Sequence, residues 1–183
     1  MSLPPWARAG RAQWRYTGTD RPAFAVEPGP GQRSVWDFPR PPVVEPVPAV
    51  VEVRCGEQTI ARSERALRVL ETGGPPTCYL PFGDVDRSRL EAAPGRSRCE
   101  WKGEARYWSL LVDGARHEAV GWSYPEPFSE FESLRDHVSF YPARVACYVG
   151  EVRVAPQPGG FYGGWVTPEF VGPFKGAPGT QGL

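Results

Sequence analysis

The chain has 183 residues, with 21 basic side chains balancing 21 acidic ones and 40% hydrophobic residues, so it reads as a soluble globular protein able to build a real core. Charge balance argues against a polybasic surface for nucleic acid or anionic membrane, because neutralising phosphates needs a local excess of Lys and Arg. There is no run of about 18 apolar residues and no basic start leading into an apolar stretch, so neither a membrane span nor a secretory leader is expected and the cytoplasm is the predicted location.

Proline divides the chain: residues 1–48 hold 10 Pro, residues 49–154 hold 7, and residues 155–183 combine 5 Pro with 8 Gly. The expected organisation is an N-terminal arm (1–48), a β-rich domain (49–154) and a C-terminal arm (155–183). Pro and Gly disfavour regular structure in the arms. Both arms nevertheless carry large aromatics, among them Trp14, Trp36, Phe38, Phe161, Tyr162 and Trp165, which disordered linkers generally lack. The arms are therefore expected to dock on the domain or on a second copy, giving a possible homo-oligomer, with a disordered tether as the competing reading.

Within the domain the hydrophobic period is mostly two. Residues 50–54 and 58–62 read as a hairpin, and residues 65–71 fit a strand or a helix that ends at Gly73-Gly74-Pro75-Pro76. Residues 77–80 read as a short strand and residues 84–90 as one helical turn. Three runs follow, 97–101, 104–112 and 115–124, with Lys102-Gly103 and Asp113-Gly114 as two-residue turns. Ser129 and Glu132 have capping-box spacing for a helix reaching Arg135. Residues 137–141 and 144–149 close the domain as strands. The predicted class is α+β, predominantly β: an antiparallel meander forming a small barrel- or sandwich-like domain with one or two short helices.

Four cysteines, Cys55, Cys78, Cys99 and Cys147, lack any C-x-x-C spacing, so buried free thiols are expected rather than a zinc or redox site. No cofactor and no catalytic residue is assigned.

The strings ALRVLETGGPP (66–76), CEWKGEARYW (99–108), WSYPEP (122–127) and HVSFYP (137–142) resemble the bacterial family catalogued as domain of unknown function 427. The resemblance covers about residues 49–150, and the arms are similar to those of longer members. It implies a small, mostly β domain with no established activity, to which a nucleotidyltransferase label has been attached. It assigns no catalytic residue.

That label can be set against the residues. Polymerase-β-type nucleotidyltransferases place a Gly-Gly or Gly-Ser pair at a helix start and an Asp-x-Asp about ten residues later, for phosphate and Mg²⁺ respectively. Here Gly73-Gly74 precedes Asp84-Val85-Asp86 at a fitting spacing. Pro75 and Pro76, however, block a phosphate-cradling helix. No metal is assigned, and Asp84 and Asp86 stand as the weaker metal-binding alternative beside a solvated cap.

The meander offers a better site. With both turns two residues long, Trp101 pairs with Glu104 and Cys99 with Arg106, while Leu110 faces His117, Trp108 faces Ala119 and Ala105 faces Trp122. One face then holds Cys99, Trp101, Trp108, Leu110, Val112, His117 and Ala119 as core. The other holds Arg98, Glu100, Tyr107, Ser109, Glu118, Val120, Trp122 and Tyr124. Aromatic rings beside a carboxylate and a guanidinium suit a flat or polyhydroxylated ligand. The alternative is a face covered by an aromatic arm. A longer loop or a bulge at Asp113-Gly114 would shift one strand's faces and remove the set.

The 137–141 run adds His137, Ser139 and Tyr141 on one side, opposite Val138 and Phe140. Glu71-Thr72 is either a ligand-facing strand end or a turn support. The candidate ligand-binding residues are thus Arg98, Glu100, Tyr107, Trp122, Tyr124, His137 and Tyr141. Three functions remain open: a small-molecule binding module, a metal-dependent nucleotidyltransferase-like enzyme, and an interaction protein that uses its arms. The expected partner is a small-molecule ligand, with no nucleic acid and no membrane.

Overall fold

The structure is a computed structural model that describes residues 3–180. The chain starts with a short helix, α1 (Pro5–Ala12), and strands β1 (Arg33–Ser34) and β2 (Val43–Pro46). Then come β3 (Val51–Cys55), β4 (Gln58–Ser63), β5 (Leu67–Leu70), β6 (Thr77–Pro81) and the long trio β7 (Leu90–Cys99), β8 (Gly103–Val112) and β9 (Ala115–Ser123). Strands β10 (His137–Phe140) and β11 (Ala146–Val149) precede the two-residue strands β12 (Val152–Arg153), β13 (Ala155–Pro156), β14 (Trp165–Val166) and β15 (Phe170–Val171).

Antiparallel pairing builds one sheet in the order β2-β5-β6-β10-β9-β8-β7 and a second in the order β12-β11-β3-β4. The larger sheet is open rather than closed into a barrel, and the protein is predominantly β. Period-two side chains explain how the sheets stack. On β6, Cys78 and Leu80 enter an apolar layer shared with Val51, Val53, Ile60 and Cys147 of the second sheet, whereas Tyr79 points to the other face. Val138 and Phe140 of β10 join the same layer.

Both arms lie on this frame. Strands β1 and β15 pair in parallel, and Val35, Trp36 and Phe38 bury with Leu70 and Phe170. Trp165 is 1% exposed, and its indole N–H donates to the Phe140 carbonyl at 3.0 Å. These aromatics recover in burial what the Pro- and Gly-rich backbone loses in order.

Residues 65–71 resolve as strand β5, and residues 84–90 hold one 3-10 turn, Arg87–Arg89, just after another at Phe82–Asp84. The expected helix after Ser129 is a 3-10 segment, Ser129–Leu134, without a side-chain cap. Glu132 instead pairs with Arg135 at 2.5 Å. All four cysteines are free thiols.

Two registers depart from expectation. Lys102-Gly103 is not a two-residue turn: Cys99 pairs with Gly103, leaving Glu100, Trp101 and Lys102 as the loop. Both primed turns need positive φ at the first central residue, and here only Gly103, the second, has it. The Arg11 guanidinium of α1 holds the loop open by donating to the Glu100 and Trp101 carbonyls at 2.8 and 3.4 Å. The extra residue reverses the faces, so Cys99 and Trp101 pack with Tyr79, Trp122 and Tyr124 instead of in the layer between the sheets.

The Asp113-Gly114 turn does have two residues, with positive φ at both and Leu110 opposite His117. Beyond it β9 bulges, so Trp108 faces Gly121 rather than Ala119, and Trp122 faces Tyr107 rather than Ala105. Buried Ser109 stabilises the bulge: its Oγ accepts the Ala119 N–H at 3.0 Å and donates to Glu118 at 3.0 Å. Between His117 and Gly121, β9 spans four residues against two on β8. The offset is even, so Trp122 stays on the face of Tyr107, while the local turn swings Val120 into the layer between the sheets.

Candidate functional site

On the face of the large sheet away from the second sheet, the strands present Val69, Tyr79, Tyr107 and Trp122. These are the floor of a cavity of about 350 Å³, within the usual range for a small-molecule site. Its walls come from four parts of the chain distant in sequence. The end of β7 adds Cys99 and the loop after it Glu100 and Lys102, the end of β5 adds Glu71, and the arms add Trp14 from one side and Phe161, Tyr162 and Lys175 from the other.

The floor is rigid and aromatic. Trp122 lies 4.4 Å from Tyr141, ring centre to ring centre, and its indole N–H donates to the Tyr79 hydroxyl at 3.3 Å. Burial pushes the Tyr79 phenol up to about 12 and also raises Tyr124, so both remain neutral hydroxyls. Tyr107 donates to Ser97 at 2.7 Å.

The rim is polar. The Trp14 indole N–H donates to Glu100 at 2.7 Å, and Glu71 accepts from Arg40 at 3.1 Å. Lys102 Nζ stands 3.8 Å from the other Glu71 oxygen. Burial alone would lower the Lys102 ammonium, but Cys99, Glu71 and Tyr79 hold it above its ordinary value. Lys175 shows the opposite balance. Burial first and the Arg40 charge second bring it down to about 8, against a partial upward pull from Glu71 and Glu100.

Of the residues proposed from sequence, Arg98, Glu100, Tyr107, Trp122, Tyr124 and Tyr141 line this one cavity. His137 does not. It lies four residues along the chain from Tyr141, in a broader cleft of about 1370 Å³ with Arg65, Arg106, Trp108 and Asp136. Its Nδ1 is buried without a hydrogen-bond partner among the described residues, and burial lowers its pKa. Several of the cleft's arginines are already paired: Arg65 with Asp84, Arg96 with Glu104 and Arg135 with Glu132.

Asp84 and Asp86 are engaged locally. Asp84 accepts from Ser63 at 2.6 Å and from Arg65 at 2.7 Å, while Asp86 caps the Arg87–Arg89 turn and accepts from Ser88 and Arg89. Among the described residues no cluster of three potential metal ligands occurs. The Gly73-Gly74-Pro75-Pro76 turn binds the arms: Gly73 donates to Val35 at 2.9 Å, and Pro76 accepts the Trp165 N–H at 2.8 Å. Thr72 likewise donates to the Phe38 carbonyl at 2.5 Å, while Glu71 faces the cavity.

Sequence reasoning missed Trp14, Lys102 and Lys175. The aromatic arms were the available signal, since a chain segment rich in Trp, Phe and Tyr packs on something, here the rim of the same cavity. Among the described residues no helix is long and apolar enough to cross a membrane.

A family model described as a domain of unknown function (DUF427), labelled NTP_transf_9, matches residues 43–151. No curated protein matches the chain.

Proposed function

The chain belongs to the DUF427 family, whose function is unknown, and from the cavity we propose that it is a binding protein for a small planar molecule. The observation that carries this reading is the convergence of Tyr107 and Trp122 from the sheet and Tyr141 just after β10 with Trp14, Phe161 and Tyr162 from the two arms around one 350 Å³ space. Rings on several sides favour a flat ligand, because stacked and edge-on contacts add to the area they bury. Glu100, Glu71 and the lysines set its orientation at the rim. The nucleotidyltransferase reading has less support, since the Gly-Gly-Pro-Pro turn holds backbone of the arms and both aspartates answer to neighbouring side chains.

Calorimetric titration with 2-naphthamide, a neutral planar probe, tests the proposal. Saturable binding that weakens in Tyr107→Ala supports it. No binding, or binding indifferent to both Tyr107→Ala and Phe161→Ala, overturns it.

A further inference from the structure

The polar groups around the cavity are unevenly matched. Lys175 is 7% exposed, and its Nζ lies 3.5 Å from the centre of the Trp14 ring. It makes no ion pair among the described residues. A ring face compensates only part of what a buried ammonium loses in leaving water. Lys102 is 8% exposed and is held by Cys99, with its nearest carboxylate oxygen, on Glu71, 3.8 Å away, so it is better matched than Lys175 but has no carboxylate at hydrogen-bond length.

The nearby acids are held elsewhere. Glu71 is shared with the Arg40 guanidinium, which itself lies 4.0 Å from the centre of the Trp14 ring, and Glu100 is fixed by the Trp14 indole. Two buried ammonium groups therefore border a cavity whose carboxylates already have partners.

We infer that the planar ligand carries an anionic group, a carboxylate or phosphate, which Lys175 and Lys102 bind at the end of the cavity nearest Trp14. This rests on the proposed planar-ligand reading and adds the charge of the ligand. An anion there would supply the partner that Lys175 lacks, with a charge-assisted hydrogen bond in a site shielded from water.

The anion's effect on Lys175 depends on all the charged and titratable groups around it. These are Arg40 from the N-terminal arm, Glu71 from the end of β5, Arg98 and Cys99 from the end of β7, Glu100 and Lys102 from the loop after it, the tyrosines Tyr79, Tyr107, Tyr124 and Tyr141 of the floor, and Tyr162 from the C-terminal arm. Burial and the Arg40 charge bring the charge change of Lys175 down to about pH 8.

The test compares two probes of one shape, 2-naphthoate and its neutral amide 2-naphthamide, by calorimetry. At pH 7 the carboxylate is expected to bind at least tenfold more tightly. That preference is expected to vanish in Lys175→Met, to persist in Lys175→Arg, and in the wild type to decline as pH rises above 8. Amide binding should be insensitive to all three changes. Equal affinity for the two probes overturns the anion inference and leaves the planar reading standing. A preference that survives both Lys175→Met and Lys102→Met also overturns it. Failure of both probes to bind removes the planar reading, and this inference with it.

Discussion

The backbone N–H of Lys175 donates to the carbonyl of Gly73 at 2.8 Å, so one residue of the Gly-Gly-Pro-Pro turn fixes the cation that overhangs the cavity. The N–H of the same glycine donates to Val35 of the N-terminal arm at 2.9 Å. Gly73 thus joins both arms to the end of β5, and the spacing that resembles a phosphate loop serves assembly of the cavity rim.

Gly73→Ala is the direct consequence. Gly73 has φ +84°, and an added Cβ would stand 3.1 Å from the Trp36 ring and 3.2 Å from the Lys175 side chain. Backbone strain and crowding together are expected to cost about 1–3 kcal/mol, lowering the melting temperature by several degrees. The preference for 2-naphthoate should fall as well, because Lys175 is displaced. An unchanged melt and an unchanged preference would contradict this account of the turn.

A second prediction concerns the bulge that keeps Trp122 on the face of Tyr107. Ser109 is fully buried and accepts the Ala119 N–H, while Ala119 holds φ +47°. Ser109→Ala leaves that donor unsatisfied and should cost about 1–3 kcal/mol in denaturant melts. Ala119→Gly relieves the left-handed strain and should stabilise by roughly 1 kcal/mol or less. A Ser109→Ala protein as stable as the wild type, or an Ala119→Gly protein less stable than it, would refute this assignment of roles.

The strand alternation was readable because single residues declare their face. Val138 and Phe140 against Tyr141, or Leu80 against Tyr79, separate the layer between the sheets from the cavity floor without any knowledge of partners. What was not readable involved loops and distance. The 97–101 run starts seven residues too late: β7 begins at Leu90 and passes through Pro94-Gly95, because a bulge between Ala93 and Arg96 accommodates both residues. Lys102-Gly103 looks like a hairpin turn until Arg11, far away in sequence, takes the carbonyls of the loop. Lys175 sits in a Phe-Lys-Gly tripeptide that resembles any surface segment, and only the docking of the whole arm makes it a buried cation. His137 alternates correctly with Val138, but period two fixes a face and says nothing about position along the strand, and its end of β10 opens on the other cleft.

The two aromatic sites of the C-terminal arm should separate stability from binding. Trp165 is fully buried with its N–H bonded, so Trp165→Ala is expected to cost about 3–5 kcal/mol and shift the denaturant midpoint strongly. Phe161 is 80% exposed at the cavity mouth, so Phe161→Ala should change stability by less than about 0.5 kcal/mol while weakening 2-naphthamide binding several-fold. Loss of stability without loss of affinity in Phe161→Ala would remove it from the site.

The enzyme alternative makes its own prediction. If Asp84 and Asp86 only brace their own turns, Asp84→Asn should lower stability by about 1 kcal/mol, mainly through the Ser63 and Arg65 contacts. Arg65 hydrogen bonding holds the Asp84 carboxyl below its usual range, so that contribution is present at neutral pH and is lost as pH falls through the acidic range. Calorimetry with Mg²⁺ and ATP should show no binding that depends on these two residues. Nucleotide binding abolished by the double Asn variant would shift the reading to nucleotidyl transfer.

The last prediction follows from proton linkage at Lys175. Its pKa is about 8 in the folded protein against 10.5 for an ordinary lysine, so between those values the unfolded chain binds more protons. This group therefore makes stability rise with pH across that window. Its unfavourable burial, on the order of 3 kcal/mol at 1.36 kcal/mol per unit, is fully present below pH 8. Cys78, Tyr79 and Tyr141 act in the opposite direction. Burial raises each to about 12, so their contribution is complete below their ordinary values and is lost as pH climbs through the alkaline range. The wild-type profile mixes these effects, and the difference between wild type and Lys175→Met isolates the lysine. The methionine variant keeps the apolar stem without the charge and should be the more stable protein at pH 7. The gap should close between pH 8 and 10.5 in guanidinium melts. A gap that stays constant over that range would mean that Lys175 keeps an ordinary proton affinity, and that the cavity does not hold an uncompensated cation.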